Sequence, residues 1–230
     1  MDNKYEYKNI RELFQLDQPE GLSKEYIERI RQQFNGLPKA LENYYKLCGG
    51  CKDMNSAQNF LLAPDKKYGY TSIDKFIYPG YCPFYIENQC VNIWGIKQSD
   101  INQENPEVYI TQDNGKTWEP TNDSVSQFLI SQAYMNALFS MEYSTEEFYR
   151  ITSNQIKQLS KQFSFVEDAK SNINNGIQFL QPYEDTIIII INSNDEIGDL
   201  CYSSRSEKHF NEINKIIYTI LGIELSSDEE

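Results

Sequence analysis

The chain has 230 residues and a formal net charge of −13, from 34 acidic and 21 basic side chains, with a single histidine. That balance argues against nucleic acid or anionic lipid as a partner, since both would be repelled, and it suits a basic protein. Hydrophobic residues at 40%, with 17 Tyr, 12 Phe and 2 Trp, suffice for a sizeable core rich in rings. The five cysteines are irregularly spaced and odd in number, which fits reduced thiols rather than a disulfide framework. The opening Met1-Asp2-Asn3-Lys4-Tyr5-Glu6 lacks an apolar signal-peptide core, and the longest aliphatic run, Ile187 to Ile191, is too short to span a bilayer. The expectation is a cytoplasmic protein that does not contact a membrane.

Along the chain, Ile10, Leu13, Phe14 and Leu16 suggest a short helix ended by Pro19-Glu20-Gly21. Ser23 reads as the N-cap of a firmer helix running to Phe34, with Tyr26, Ile27, Ile30 and Phe34 on one face. Pro38 suits the first turn of the next helix, whose stripe is Leu37, Leu41, Tyr44, Tyr45 and Cys48 and whose stop is Gly49-Gly50. From Asn59 to Trp118 the period shifts to that of strands, at 60–62, 81–86, 91–96, 108–111 and 116–118. Asp113-Asn114-Gly115 marks a turn between the last two. Within 91–96, Val91, Ile93 and Gly95 face one side and Asn92, Trp94 and Ile96 the other, which predicts a central strand covered on both faces. Gly95 beside Trp94 suggests a bulge or a close backbone approach.

Asn122 or Asp123 is a candidate cap for a helix reaching about Met141, apolar around most of its circumference and therefore deeply buried. Ser144-Thr145-Glu146-Glu147 has capping-box spacing and predicts another helix, with Phe148, Ile151, Leu159 and Phe163 inward. Strands follow at 177–180, 186–191 and 199–203, and Ser204-Arg205-Ser206-Glu207 opens a last helix. The expected fold class is α+β: one domain over 1–225, a central, mostly antiparallel sheet covered by helices, and an acidic disordered tail at 226–230.

No spacing implies catalysis. Cys48-Gly49-Gly50-Cys51 has C-x-x-C spacing, yet zinc needs about four ligands and no second pair exists, so no metal or other cofactor is expected. His209 has no motif that brings it an orienting carboxylate and a nucleophile. Phosphate-binding glycine loops are missing. The acidic residues are unevenly placed: Asp100, Glu104, Glu107 and Asp113 form one group and Asp185, Asp195 and Glu196 a second, mostly on loops at strand ends. Such groups serve either as a solvated rim against edge aggregation or as an anionic surface for a basic partner.

Several runs resemble the SUKH superfamily, which groups fungal cell-wall-synthesis regulators with bacterial immunity proteins that neutralise polymorphic toxins. They are Glu87-Asn88-Gln89, Trp94-Gly95, Asn105-Pro106 with Val108-Tyr109, and upstream Leu37-Pro38, Leu41, Tyr44-Tyr45 and Gly49-Gly50. Cys90 stands where a glycine is common, and Glu107 where a second proline is common. The resemblance implies a non-enzymatic immunity protein that blocks a basic, nuclease-type toxin through the acidic residues named above. Its alternative is a regulatory scaffold module of the fungal type.

Overall fold

Four short helices open the fold: α1 (Lys8–Leu13), α2 (Lys24–Phe34), α3 (Lys39–Leu47) and α4 (Lys52–Ser56). The computed structural model describes residues 5–63, 73–172, 176–192 and 196–223. Ser23 caps α2 by accepting the Tyr26 N–H, and Asn35 ends it in the left-handed conformation, as the sequence predicts. The C-x-x-C turn closes α3. Asn55 Nδ2 donates to the Cys48 and Cys51 carbonyls at 2.7 and 2.9 Å, while its Oδ1 accepts from the Tyr44 hydroxyl. A fully buried amide therefore satisfies this helix end.

Among the described residues the strands form two antiparallel sheets. The first runs in chain order: β1 (Asn59–Leu61), β2 (Tyr81–Glu87), β3 (Ile93–Lys97), β4 (Glu107–Thr111) and β5 (Glu119–Ser124). The second is a meander of β8 (Ile177–Tyr183), β9 (Thr186–Asn192) and β10 (Ile197–Ser204). Along the other edge of β10 pair two short strands, β6 (Tyr143–Ser144) and β7 (Tyr149–Thr152). The α+β class and the antiparallel pairing follow the sequence, with the strands divided between two sheets.

The helix α5 (Val125–Ser140) explains that division. Phe128 packs on Phe84, Tyr85 and Trp94 of the first sheet at 5.3–5.4 Å, and Tyr134 on Phe179 of the second at 5.6 Å. A helix apolar on all sides needs cover on two, and the two sheets supply it. The far face of the second sheet is covered by α6 (Ser153–Leu159) and α7 (Glu207–Leu221). The isoleucine run alternates accordingly: Ile187 and Ile189 join the core around α5, while Ile188 and Ile190 pack with Ile213 and Ile217 of α7.

Three starts differ from expectation. Ser124 precedes α5 but makes no side-chain cap; Asn105 reaches in instead, with Oδ1 accepting from Ser126 N–H and Nδ2 donating to Ser126 Oγ, both at 2.9 Å. Asp123 is buried on β5, where its carboxylate accepts from Ser171 Oγ at 2.6 Å and Asn172 N–H at 2.8 Å. The segment after Ser144 holds β7 rather than a helix, because Tyr149, Arg150, Ile151 and Thr152 alternate inward and outward and pair with β10. The capping box forms later, between Thr152 and Gln155, and Phe148 is exposed. For α7 the cap is Ser206, while Ser204 ends β10. The 226–230 tail lies outside the described residues.

The family departure at Cys90 falls on a strained residue. In the β2–β3 hairpin Cys90 has φ 60°, a region that glycine enters freely and a side chain enters at a cost. Cys90→Gly is expected to stabilise the fold by about 0.5–1 kcal/mol. A denaturant midpoint that stays level or falls would contradict this.

Candidate functional site

Gly95 lets an aromatic row cross the first sheet. A Cβ there would sit 3.0 Å from the Trp118 ring and 3.1 Å from the Cys82 carbonyl, which is the close approach the sequence suggested. Trp118 lies over this gap and stacks on Tyr81 at 4.5 Å with 8° between planes. Tyr78 meets Trp118 edge-on at 5.6 Å, and Tyr109 meets Tyr81 at 5.6 Å. Register places Gly95 opposite Pro83 and Tyr109, on the face turned away from α5, because the neighbouring Trp94 packs on Phe128.

Among the described residues the main helix contacts lie away from this outer face. α1, α3 and α4 pack on α5, α2 packs on α3, and α6 and α7 pack with each other beyond the second sheet. Among the described residues the outer face is covered by its own half-buried rings, with Ile77 beside them 79% exposed. The sequence predicts a strand at 116–118 ending on Trp118, whereas β5 begins at Glu119 and the row itself was not foreseen. The available signal was Gly95, a position without a side chain in a stretch rich in Tyr and Trp.

The turn at one end of β4 is built by Asp113. Its Oδ1 accepts from Thr111 Oγ1 and from the N–H groups of Lys116 and Thr117, and its Oδ2 from Thr117 Oγ1, all at 2.7–3.0 Å. Gly115 follows at φ 84°, under the Tyr78 ring, whose hydroxyl donates to Asn114. The Thr117 backbone and hydroxyl bonds, then those from Thr111 and Lys116, lower the Asp113 carboxyl from 3.8 to about 2. A depressed folded value means the contribution is full above about 3.8 and is lost as pH falls towards 2. Acid titration should therefore release the Thr117 amide from exchange protection within that window. In Asp113→Asn the pH dependence should vanish; a step that persists there would assign it to another group.

At the other end of β4 the acidic residues do meet the rings. Burial against the sheet, then the Glu107 carboxylate, then Asp100 raise the Tyr109 hydroxyl above its ordinary range. The β3–β4 connection that carries Asp100 and Glu104 is clamped to the helices: the Glu104 carbonyl accepts the Ala40 N–H at 3.0 Å, and the Gln98 amide donates to the Phe34 carbonyl. Glu104 is exposed; Asp100 and Glu107 are partly so.

The second acidic group is not brought together. Asp185 precedes β9 and Glu196 follows it, so a strand of about 20 Å separates them; Asp195 lies outside the described residues. Asp185 is engaged with His209, whose Nδ1 sits 2.7 Å from Asp185 Oδ1. Tyr183 stacks on the imidazole at 4.1 Å, and its hydroxyl donates to Glu212. Sequence reasoning saw no carboxylate for His209, and the structure supplies one. Thr186 Oγ1 donates to the same Asp185 Oδ1 and bonds Ser204 Oγ, so the pair latches α7 to the β8–β9 turn.

Burial pushes the Cys48 thiol up to about 12 and the Cys51 thiol to about 11, which keeps both protonated. Among the described residues no group of three or more His, Cys, Asp or Glu is arranged to hold a metal, and no helix is long and apolar enough to cross a membrane.

Residues 21–131 match the model of the SMI1 / KNR4 family (SUKH-1). Over this stretch the chain is similar to the SUKH superfamily. No curated protein and no solved structure matches it. The SUKH match takes in the whole first sheet, its aromatic face and the β3–β4 connection, and it ends at Ser131 inside α5. The SUKH-like pairs noted above occupy load points of this region: Asn105 holds the start of α5, the Pro106 carbonyl accepts the Val125 N–H, and Gly95 makes room for Trp118. The second sheet with α6 and α7 follows the match.

Proposed function

We propose that this chain is an immunity protein of the SUKH type: it binds a basic protein toxin, of nuclease type, and blocks it stoichiometrically without chemistry of its own. The observation that carries the proposal is the group Asp100, Glu104 and Glu107, held on a connection clamped to α2 and α3 in a chain of net charge −13. Carboxylates fixed in place attract a basic surface without the entropy loss of ordering a loop. A nuclease must keep its own active surface basic to hold phosphates, so anionic loops fit over it. Asp113 and Asp185 have their carboxylates engaged within the fold, and Glu196 stands a strand away from Asp185, so the reading rests on the Asp100 group.

The test is co-expression with the product of the adjacent open reading frame. The expected result is a stoichiometric complex with a basic protein that arrests growth alone and is harmless in the pair. A kinase or cell-wall enzyme as the stoichiometric partner would contradict the proposal and favour the regulatory scaffold.

A further inference from the structure

We propose that the outer face of the first sheet receives an arginine side chain of the protein partner, laid on the Tyr81–Tyr109 end of the aromatic row and held by the Asp100 and Glu107 carboxylates. This rests on the basic partner proposed above and adds the face and the chemistry by which it is recognised.

Among the described residues helices close each other sheet face, whereas this one carries half-buried rings. Rings gathered at a surface, with charged residues at the margin, have the make-up of an interface centre and rim. The charge of the margin then selects the guest. Ring faces are negative, and Glu107 lies two residues before Tyr109 on β4, on the same face; besides burial, its carboxylate and that of Asp100 raise the Tyr109 hydroxyl. Both features attract a cation.

Between the two cationic side chains, geometry prefers arginine. Its planar guanidinium can lie against a ring and still direct two N–H groups in its plane to a carboxylate, and it is weakly hydrated. A lysine ammonium is a compact, strongly hydrated point that cannot do both. One group on the face opposes any cation. Lys97 follows Ile96, which pairs with Val108, so the next register step sets Lys97 across from Glu107 on the same face. It is exposed and, among the described residues, makes no ion pair with Glu107. An incoming guanidinium must share Glu107 with it, which gives the proposal a sign test: removing the Lys97 charge should tighten binding.

Two short capped peptides that differ only in one Arg or Lys between glycines are titrated into the full ¹⁵N-labelled chain. The Arg peptide should move the Trp118 indole N–H and the Tyr109 amide while leaving the buried Trp94 indole in place, with the two indoles assigned from Trp118→Phe. The Lys peptide should bind about 5–10-fold more weakly. Glu107→Gln should weaken the Arg peptide about 5–10-fold and Lys97→Gln should strengthen it. Tyr109→Leu, which keeps an apolar packed side chain, should weaken it too at unchanged melting temperature. Equal binding of the two peptides, shifts away from this face, no shift with either peptide, or weaker binding in Lys97→Gln would overturn the proposal. If the toxin is neutralised while arginine preference is missing, this inference falls and the immunity proposal stands. If no basic partner is found, the immunity proposal falls whatever the peptides do.

Discussion

Replacing Asn136 by alanine should cost about 3–5 kcal/mol and unfold a large share of the protein at 37 °C. Asn136 is fully buried on α5, and its amide is bonded on every side. Oδ1 accepts from the N–H groups of Gln58 and Asn59 at 3.0 Å; Nδ2 donates to the Met54 and Asn59 carbonyls and to the Tyr85 hydroxyl at 2.8–3.1 Å. Truncation strands several buried backbone groups at once, and each unsatisfied group costs about 1–3 kcal/mol. Asn211→Ala on the exposed side of α7 is the control and should change stability by less than about 0.5 kcal/mol. Chemical denaturation of both variants measures this. A loss under 1 kcal/mol for Asn136→Ala would mean that water replaces the amide and that the network is not what joins α5 to β1.

Trp94→Ala should be comparably severe, at about 3–5 kcal/mol. The indole is 3% exposed, between Tyr85 at 6.1 Å and Phe128 at 5.4 Å, in the middle strand of the first sheet. The cavity would open where β3 meets α5, so the sheet and the helix would both lose contacts. Trp118→Ala provides the contrast, since Trp118 lies half-buried on the outer face and removing it should affect partner binding more than stability. Unchanged melting of Trp94→Ala would put Trp94 outside and reverse the two faces of the sheet.

What the sequence made legible was local. Ser23, the Gly49-Gly50 stop, the Asp-Asn-Gly turn and the meander of three late strands act through neighbours a few residues away, and each is found where its pattern puts it. The burial of α5 was legible from its all-round apolar surface, but its sharing between two sheets was not, because periodicity does not count layers. Polar ties across long separations left no pattern at all. Asn136 reaches residues 77–82 positions away, Asn105 caps a helix 21 positions on, and Asp185 finds His209 across 24. The acidic set shows the same limit in the site. Composition marks Asp113 and Asp100 alike, whereas the fold gives one to a turn and the other to the margin of an aromatic face.

If carboxylates on the β3–β4 connection draw in a basic protein, the association rate measured across a salt series should report it. Wild type and the Asp100→Asn, Glu104→Gln, Glu107→Gln triple variant are compared against the co-purified partner by stopped flow. Near physiological salt the attraction is screened over about 8–10 Å, so the wild-type rate should fall steeply as salt rises. The triple variant should associate about tenfold more slowly at low salt and converge on wild type at high salt, and the charge attraction between exposed groups should leave dissociation nearly unchanged. A wild-type rate independent of salt, matched by the triple variant at every ionic strength, would contradict the account.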